Sequence, residues 1–200
     1  LPPSSAASDV YKRQPFYHSF AGKTVGPAID LAEHLISIAP PAADGSSFGK
    51  AFFCSSGSEA NDTAMKMVWY YQAARGKPEK RKIISRRRGY HGVTMAAASM
   101  TALAYAQNGF GLPLDFVKHT TTPDYYNEGR DGESETEFTA RCAAELEALI
   151  IEEGPETVGA LFAEPVMGAG GVIIPPAGYF AAIREVLERH DVLLVADEVI

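Results

Sequence analysis

At 200 residues the chain is long enough to bury a sizeable core, and its 46% hydrophobic and 22% charged residues are ordinary for a globular chain. A formal net charge of -7 leaves no basic face to neutralise phosphates, which excludes nucleic acid as the main partner. No apolar run reaches membrane-spanning length and no secretory segment opens the chain, so a cytoplasmic enzyme with no membrane partner is expected. The two cysteines, Cys54 and Cys142, read as small core residues of a reducing compartment.

In chain order, residues 1–14 are polar and without periodicity, and read as a non-native leader. Residues 15–200 then form part of one larger domain. Pro27 to Ala39 reads as a helix with Ile29, Leu31, Leu35 and Ile38 as its apolar members, stopped by Pro40-Pro41. Lys50 to Ser55 reads as a strand. It runs through Ser56-Gly57-Ser58 into a helix from Ser58 to Arg75, with Ala60, Ala64, Met67, Val68, Tyr71 and Ala74 as the apolar positions and Gly76 as the stop. Lys82 to Ser85 is a short strand. Arg86-Arg87-Arg88 reads as a solvated loop, and Val93 to Met100 as a small-residue helix. Asp115 to His119 is a strand followed by a polar loop. Ser134-Glu135-Thr136-Glu137 is a capping box opening a helix that carries Phe138, Cys142, Leu146, Leu149 and Ile150 and closes at Gly154-Pro155. Val158 to Ala163 is a strand ending at Glu164-Pro165. Tyr179, Phe180, Ile183, Val186 and Leu187 mark a helix. Val192 to Ala196 is a strand that is apolar on both faces, ending at Asp197-Glu198. The chain stops directly after it, as a fragment does.

Strands alternating with helices, the later strands being continuous apolar runs, predict an α/β fold with a mostly parallel sheet and helices on both faces. Ligands of such sheets bind at the carboxyl ends of the strands. Three polar segments collect there: Ser56-Gly57-Ser58, Glu164 and Asp197. A glycine turn opening a helix is an anion site, because the first N–H groups of the helix lack partners and its dipole attracts negative charge. It is equally an ordinary serine cap. Two buried carboxylates need a partner, and a cationic nitrogen heterocycle carrying a phosphate satisfies both ends. Other motifs fall away. Gly168-Ala169-Gly170-Gly171 lacks the strand-before, helix-after setting of a dinucleotide loop, and Ala21-Gly22-Lys23-Thr24 lacks the first glycine of a phosphate loop. Ser56 has no nucleophile elbow. The histidines show no metal-ligand spacing, so no metal is expected.

Ser56-Gly57-Ser58-Glu59-Ala60-Asn61, Tyr90-His91-Gly92, Glu164-Pro165-Val166-Met167-Gly168-Ala169-Gly170-Gly171 and Asp197-Glu198-Val199 stand in the order seen in class III aminotransferases. The likeness is to their omega-amino-acid:pyruvate branch, over roughly residues 15–200. The resemblance implies the type I fold of pyridoxal-phosphate-dependent transferases, of which this chain would be part of the large domain. It implies pyridoxal phosphate as cofactor, and an amine or omega-amino acid with a keto acid such as pyruvate as substrates. It implies that Gly57 and Ser58 hold the cofactor phosphate, that Tyr90 stacks on the ring, and that His91 and Gly92 shape that turn. Glu164 would sit near the ring hydroxyl, Asp197 would pair with the ring nitrogen, and Val199 would pack on the other face. Phe16 and Tyr17 would line a substrate pocket at the interface of a homodimer. The family's Schiff-base lysine would lie beyond residue 200, so the chain alone is expected to be inactive. The same motifs fit an aminomutase or decarboxylase on this fold; a non-catalytic phosphate-binding domain would need no Asp197.

Overall fold

The computed structural model describes residues 24–41 and 45–200. The expected leader at 1–14, Phe16, Tyr17 and most of the Ala21-Gly22-Lys23-Thr24 segment lie outside the described residues. The chain divides into two units, Leu1–Phe53 and Cys54–Ile200.

In the first unit, helix α1 spans Gly26–Ile38 with proline in its first turn, where the fixed φ suits the helix and the missing N–H has no partner to lose. Its apolar residues Ile29, Leu31, Leu35 and Ile38 are exposed. The strand expected from Lys50 to Ser55 is not formed. Extended backbone becomes a strand only when a neighbour takes up its N–H and C=O groups, and no described residue pairs with this segment. Phe52 and Phe53 are accordingly exposed.

The second unit opens differently from a strand end. The Ser55 N–H donates to Glu59 Oε2 at 2.8 Å, and Cys54 is half-buried rather than in the core. Helix α2 spans Gly57–Ala74. Its buried residues are Asn61, Met65, Val68 and Gln72, whereas Met67 and Tyr71 face solvent. The buried stripe is thus turned about one residue from the apolar one, because two of its members are polar. Gln72 Nε2 donates to the Gly159 carbonyl at 3.4 Å, and Asn61 finds partners at the sheet edge. Strand β1 (Lys82–Arg86), helix α3 (Met95–Met100), the single turn α4 (Ala104–Gln107) and strand β2 (Val117–Thr120) follow. Next come the turn α5 (Tyr125–Glu128), helix α6 (Glu135–Glu153) and strand β3 (Val158–Ala163), then helix α7 (Tyr179–Arg189) and strand β4 (Leu193–Ala196). Both halves of the capping box predicted at Ser134 and Glu137 are present, and α6 stops at Gly154 with φ 85°.

The four strands form one parallel sheet in the order β2-β1-β3-β4. Alternate residues of a strand face opposite ways, and the two faces carry separate cores. Ile84, Leu161 and Ala163 pack with Phe138, Cys142, Leu146 and Ile150 of α6 and with Tyr179, Ile183, Val186 and Leu187 of α7. Ile83, Val117, Ala160 and Phe162 pack with Met65 and Val68 of α2 and with Met100 of α3. Each fully buried aliphatic or aromatic side chain here contributes about 1.5–3 kcal/mol. Burial pushes the Cys142 thiol up to about 11, which suits an inert core residue.

Strand β4 is the edge of the sheet among the described residues, and its burial alternates: Leu194 and Ala196 are exposed. One further expectation is corrected. The arginine run is not a solvated loop. Arg86 is the last residue of β1 and completely buried; Arg87 is exposed and Arg88 half-buried. A basic run reads as solvated only if the chain does not carry part of it into the sheet.

Candidate active site

At the carboxyl edge of the sheet, parallel pairing brings Arg86, Glu164 and Asp197 to one side, and the Asp197 N–H donates to the Ala163 carbonyl at 3.0 Å. The start of α2 meets the same edge. Ser56 is its cap, its Oγ accepting from the Glu59 N–H at 3.2 Å. The hydroxyl of Ser58 is therefore not the cap; it accepts from the Val93 N–H at 3.0 Å. The first-turn N–H groups of Gly57 and Ser58 have no helical carbonyl to bond. A Cβ placed on Gly57 would meet nothing within 4 Å, so the space beside those amides is open. Gly92 has φ 130°, and a Cβ there would lie 2.4 Å from Ser58 Oγ. Glycine lets the turn after β1 press directly on α2. Asp62 ties the same turn down: its Oδ1 accepts from Thr94 Oγ1 at 2.9 Å and from the Ala97 N–H at 3.0 Å.

Asp197 is half-buried, and two donors converge on one of its oxygens. Asn61 Nδ2 lies 2.9 Å and His91 Nδ1 2.9 Å from Asp197 Oδ2. Asn61 Nδ2 also donates to the His91 carbonyl at 2.8 Å. Burial alone pushes the Asp197 carboxyl up, but the His91 and Asn61 bonds together outweigh it and hold the group below the usual carboxylate range. Oδ1 has no hydrogen-bond partner among the described residues. The arrangement is an anion with one oxygen clamped and the other available to a cation.

Glu164 is deeply buried at the end of β3, and burial pushes its carboxyl up, against the pull of His91 and Arg86. Its Oε2 accepts from the Tyr90 N–H at 3.3 Å and lies 3.9 Å from Arg86 Nη2. Thr101 Oγ1 accepts from the N–H groups of His91 and Gly92 at 2.8 and 3.1 Å and donates to the Gly92 carbonyl at 2.9 Å.

Of the residues singled out from the sequence, Gly57, Ser58, Tyr90, His91, Gly92, Glu164 and Asp197 fall in one connected cluster. Val199 stands two residues past Asp197 and is exposed. His91 does more than shape its turn, since its ring bonds Asp197 directly. Asn61, Thr101 and Arg86 were missed. Asn61 was within reach, as a polar residue one turn inside a helix on what proves its buried side; Thr101 carried no signal. A cavity of about 840 Å³ is lined by Arg88, Asp124, Tyr126, Arg130 and Val172 among others and by none of the cluster. The cluster is an open face with Gly57 exposed, which is why it does not form that cavity.

The profile of the aminotransferase class-III family matches residues 7–200. The chain is 52% identical over 195 residues to "Probable gamma-aminobutyrate transaminase 2, mitochondrial" of Oryza sativa subsp. indica, covering 98% of this chain and 38% of that protein. It is 50% identical over 195 residues to "Gamma aminobutyrate transaminase 1, mitochondrial" of Solanum lycopersicum, covering 98% and 37%. Among solved structures, the omega transaminase of Pseudomonas jessenii in complex with PMP superposes with a TM-score of 0.89 at 50% identity, over 97% of this chain and 42% of that one. The chain therefore spans less than half the length of the relatives it matches. The expectation of a cytoplasmic protein is overturned by the Oryza sativa and Solanum lycopersicum relatives, both of which are named as mitochondrial. Charge and the lack of an apolar span do not distinguish one aqueous compartment from another. The α/β fold, with a parallel sheet covered by helices, is shared with these transaminases. By a family profile matched over nearly its whole length, the chain belongs to the class-III aminotransferases.

Proposed function

We propose that this chain carries the cofactor-holding face of a pyridoxal-phosphate-dependent transaminase. The full-length protein would transfer an amino group from an amine or omega-amino acid to pyruvate or a similar keto acid, as a homodimer. The observation that carries this reading is the Asp197 carboxylate, clamped on one oxygen by Asn61 and His91 and held ionised on the sheet edge where α2 begins. The residues present fit the cofactor at both ends. The open amides of Gly57 and Ser58 suit a phosphate, and Asp197 Oδ1 suits a protonated ring nitrogen. Pyridoxal phosphate, when bound, supplies a cationic ring that accepts electron density from the amine's α-carbon.

The chain's own residues then have distinct tasks. Gly57 and Ser58 bind the phosphate through backbone N–H groups. Asp197 holds the ring nitrogen protonated by placing a close opposite charge beside it. Asn61 and His91 keep Asp197 ionised and aimed. Tyr90 and Val199 would pack against the ring, and Glu164, which accepts the Tyr90 N–H, orients the turn that carries Tyr90. The names of the relatives support the transaminase reading, and the PMP complex of the Pseudomonas jessenii enzyme supports the cofactor.

Asp197→Asn in the full-length protein tests this. Nearly complete loss of amine-dependent alanine formation from pyruvate is expected, with pyridoxal phosphate still bound through its phosphate. Wild-type turnover in that variant would remove Asp197 from the role given to it. The 200-residue chain alone is expected to form no alanine. Lys77, Lys80, Lys82 and Lys118 are engaged by Asp191, by backbone carbonyls and by Glu153, and among the described residues the partners of Asp197 are Asn61 and His91 rather than a lysine. Alanine production by the isolated chain would refute that.

A further inference from the structure

Arg86 is the most heavily buried cation of the described residues, with no part of its side chain exposed. Its guanidinium carbon lies 6.0 Å from the ring centroids of Tyr179 and Phe180 at the start of α7. Nη2 donates to the backbone carbonyl of Glu164 and stands 3.9 Å from Glu164 Oε2. Nε and Nη1 have no partner among the described residues. A buried guanidinium with two donors that lack a well-formed hydrogen bond is unfavourable even with the Tyr179 hydroxyl near it, and a well-packed apolar residue would remove that cost. Departures from local packing rules of this kind concentrate at functional sites.

What the cation faces is Glu164, itself only 1% exposed. A carboxylate so buried takes up a proton unless an opposite charge stands near it. Burial pushes its carboxyl up; against it His91 from the following turn, then Arg86 from β1 and the Tyr90 N–H favour its charge, while Asp197 from the end of β4 opposes it. Tyr179 of α7 faces Arg86, and burial pushes its phenol up, so it stays neutral beside the cation. The turn carrying Tyr90 and His91 lies directly on this pair. The Tyr90 N–H donates to Glu164 Oε2. A Cβ on Gly89 would lie 2.9 Å from the Arg86 carbonyl, 3.4 Å from His91 Nε2 and 3.5 Å from Glu164 Oε2.

The geometry points to Arg86 as a positioning residue: bonded to the Glu164 carbonyl and 3.9 Å from its carboxyl, it acts through the charge of Glu164 on the turn that carries Tyr90 and presents His91 to Asp197. Its consequence for the cofactor rests on the function proposed above; its effect on Glu164 and on the turn does not. The test uses the full-length protein with Arg86→Met, Arg86→Lys and, to assign the signal, Glu164→Gln. The infrared band of the protonated carboxyl, identified by its loss in Glu164→Gln, reports the charge of Glu164. Hydrogen exchange of residues 87–94 reports the turn.

Arg86→Met is expected to raise the pH at which Glu164 loses its proton by about 1–3 units. It is also expected to speed exchange in the turn by roughly tenfold, the loss of one charge-assisted hydrogen bond. Arg86→Lys keeps the charge without the planar fork, so a smaller shift at Glu164 and a correspondingly smaller quickening of exchange are expected. A merely structural arginine lowers the unfolding midpoint and leaves the Glu164 titration unchanged, which overturns the proposal. If Arg86→Met does not fold, exchange that quickens in Arg86→Lys while the Glu164 titration stays at its wild-type position overturns it equally. Adding pyridoxal phosphate separates the two readings. A wild-type protein that takes up none refutes the proposed function, and the infrared band still decides the role of Arg86.

Discussion

Asn61 shows how much one side chain decides at this site. A single amide nitrogen bridges the Asp197 carboxylate and the His91 carbonyl, joining α2, the turn after β1 and the end of β4. Asn61→Ala removes both bonds and leaves the His91 carbonyl buried without that donor, so a loss of about 1–3 kcal/mol in unfolding free energy is expected. The same change removes one of the two bonds that depress the Asp197 carboxyl. A group with a depressed folded value stabilises the protein above its unfolded value, and that contribution disappears as pH falls through the folded value. In the variant the contribution should be smaller and its disappearance complete at a higher pH. Carboxyl titration of Asp197 by NMR checks this, and an unshifted titration would show that His91 alone holds the charge. At this scale Gly57, Ser58 and Asp197 were legible in the sequence because each sits at a helix start or a strand end. Asn61 and Arg86 were not, because a polar residue is read as exposed until the partner that satisfies it is known.

Among the elements, α6 depends on its entry. The capping box at Ser134 sets the first turn, and Arg141, two turns on, grips the preceding loop. Its Nε and Nη2 lie 2.7 and 2.8 Å from the two Glu133 carboxylate oxygens, and Nη2 also donates to the Glu128 carbonyl at 2.9 Å. The Arg141 hydrogen bonds, aided by the Arg130 N–H, hold the Glu133 carboxyl down to about 2, from an ordinary 4.5. The pair's contribution is therefore complete above the ordinary value, fades as pH drops, and is absent below about 2. Arg141→Ala should lower the unfolding midpoint most at neutral pH, with the penalty shrinking toward the acid end to what the Glu128 bond contributes; a penalty that does not shrink would sink the pairing. The sequence announces such elements well where capping and turn chemistry are local, as at Ser134 and Gly154. It misplaces the stripe of α2, whose buried face includes Asn61 and Gln72. It also overstates residues 50–55, whose strand character needs a neighbour to become a strand.

Across the second unit, β3 is the strand on which both cores depend. Leu161 belongs to the core under α6 and α7, and Phe162 to the core under α2 and α3. Phe162→Ala should cost about 3–5 kcal/mol, a large share of an ordinary domain's 5–15 kcal/mol. Because the two faces share this strand, they should unfold together. Urea unfolding followed by Trp69 fluorescence, which reports the α2 face, and by far-ultraviolet circular dichroism should give coincident transitions at a lowered midpoint. Separated transitions would mean that the faces are independent. By itself the sequence determined the alternation of strands and helices, the parallel sheet and the edge where polar residues gather, since periodicity, caps and strand-end glycines are properties of neighbours along the chain. Only the tertiary structure decided which side of α2 is buried, that Arg86 lies inside and that residues 50–55 form no strand. It alone clamped Asp197 between Asn61 and His91. Burial, pairing and the charge of a carboxylate depend on groups far apart in sequence, and nothing local encodes their distance.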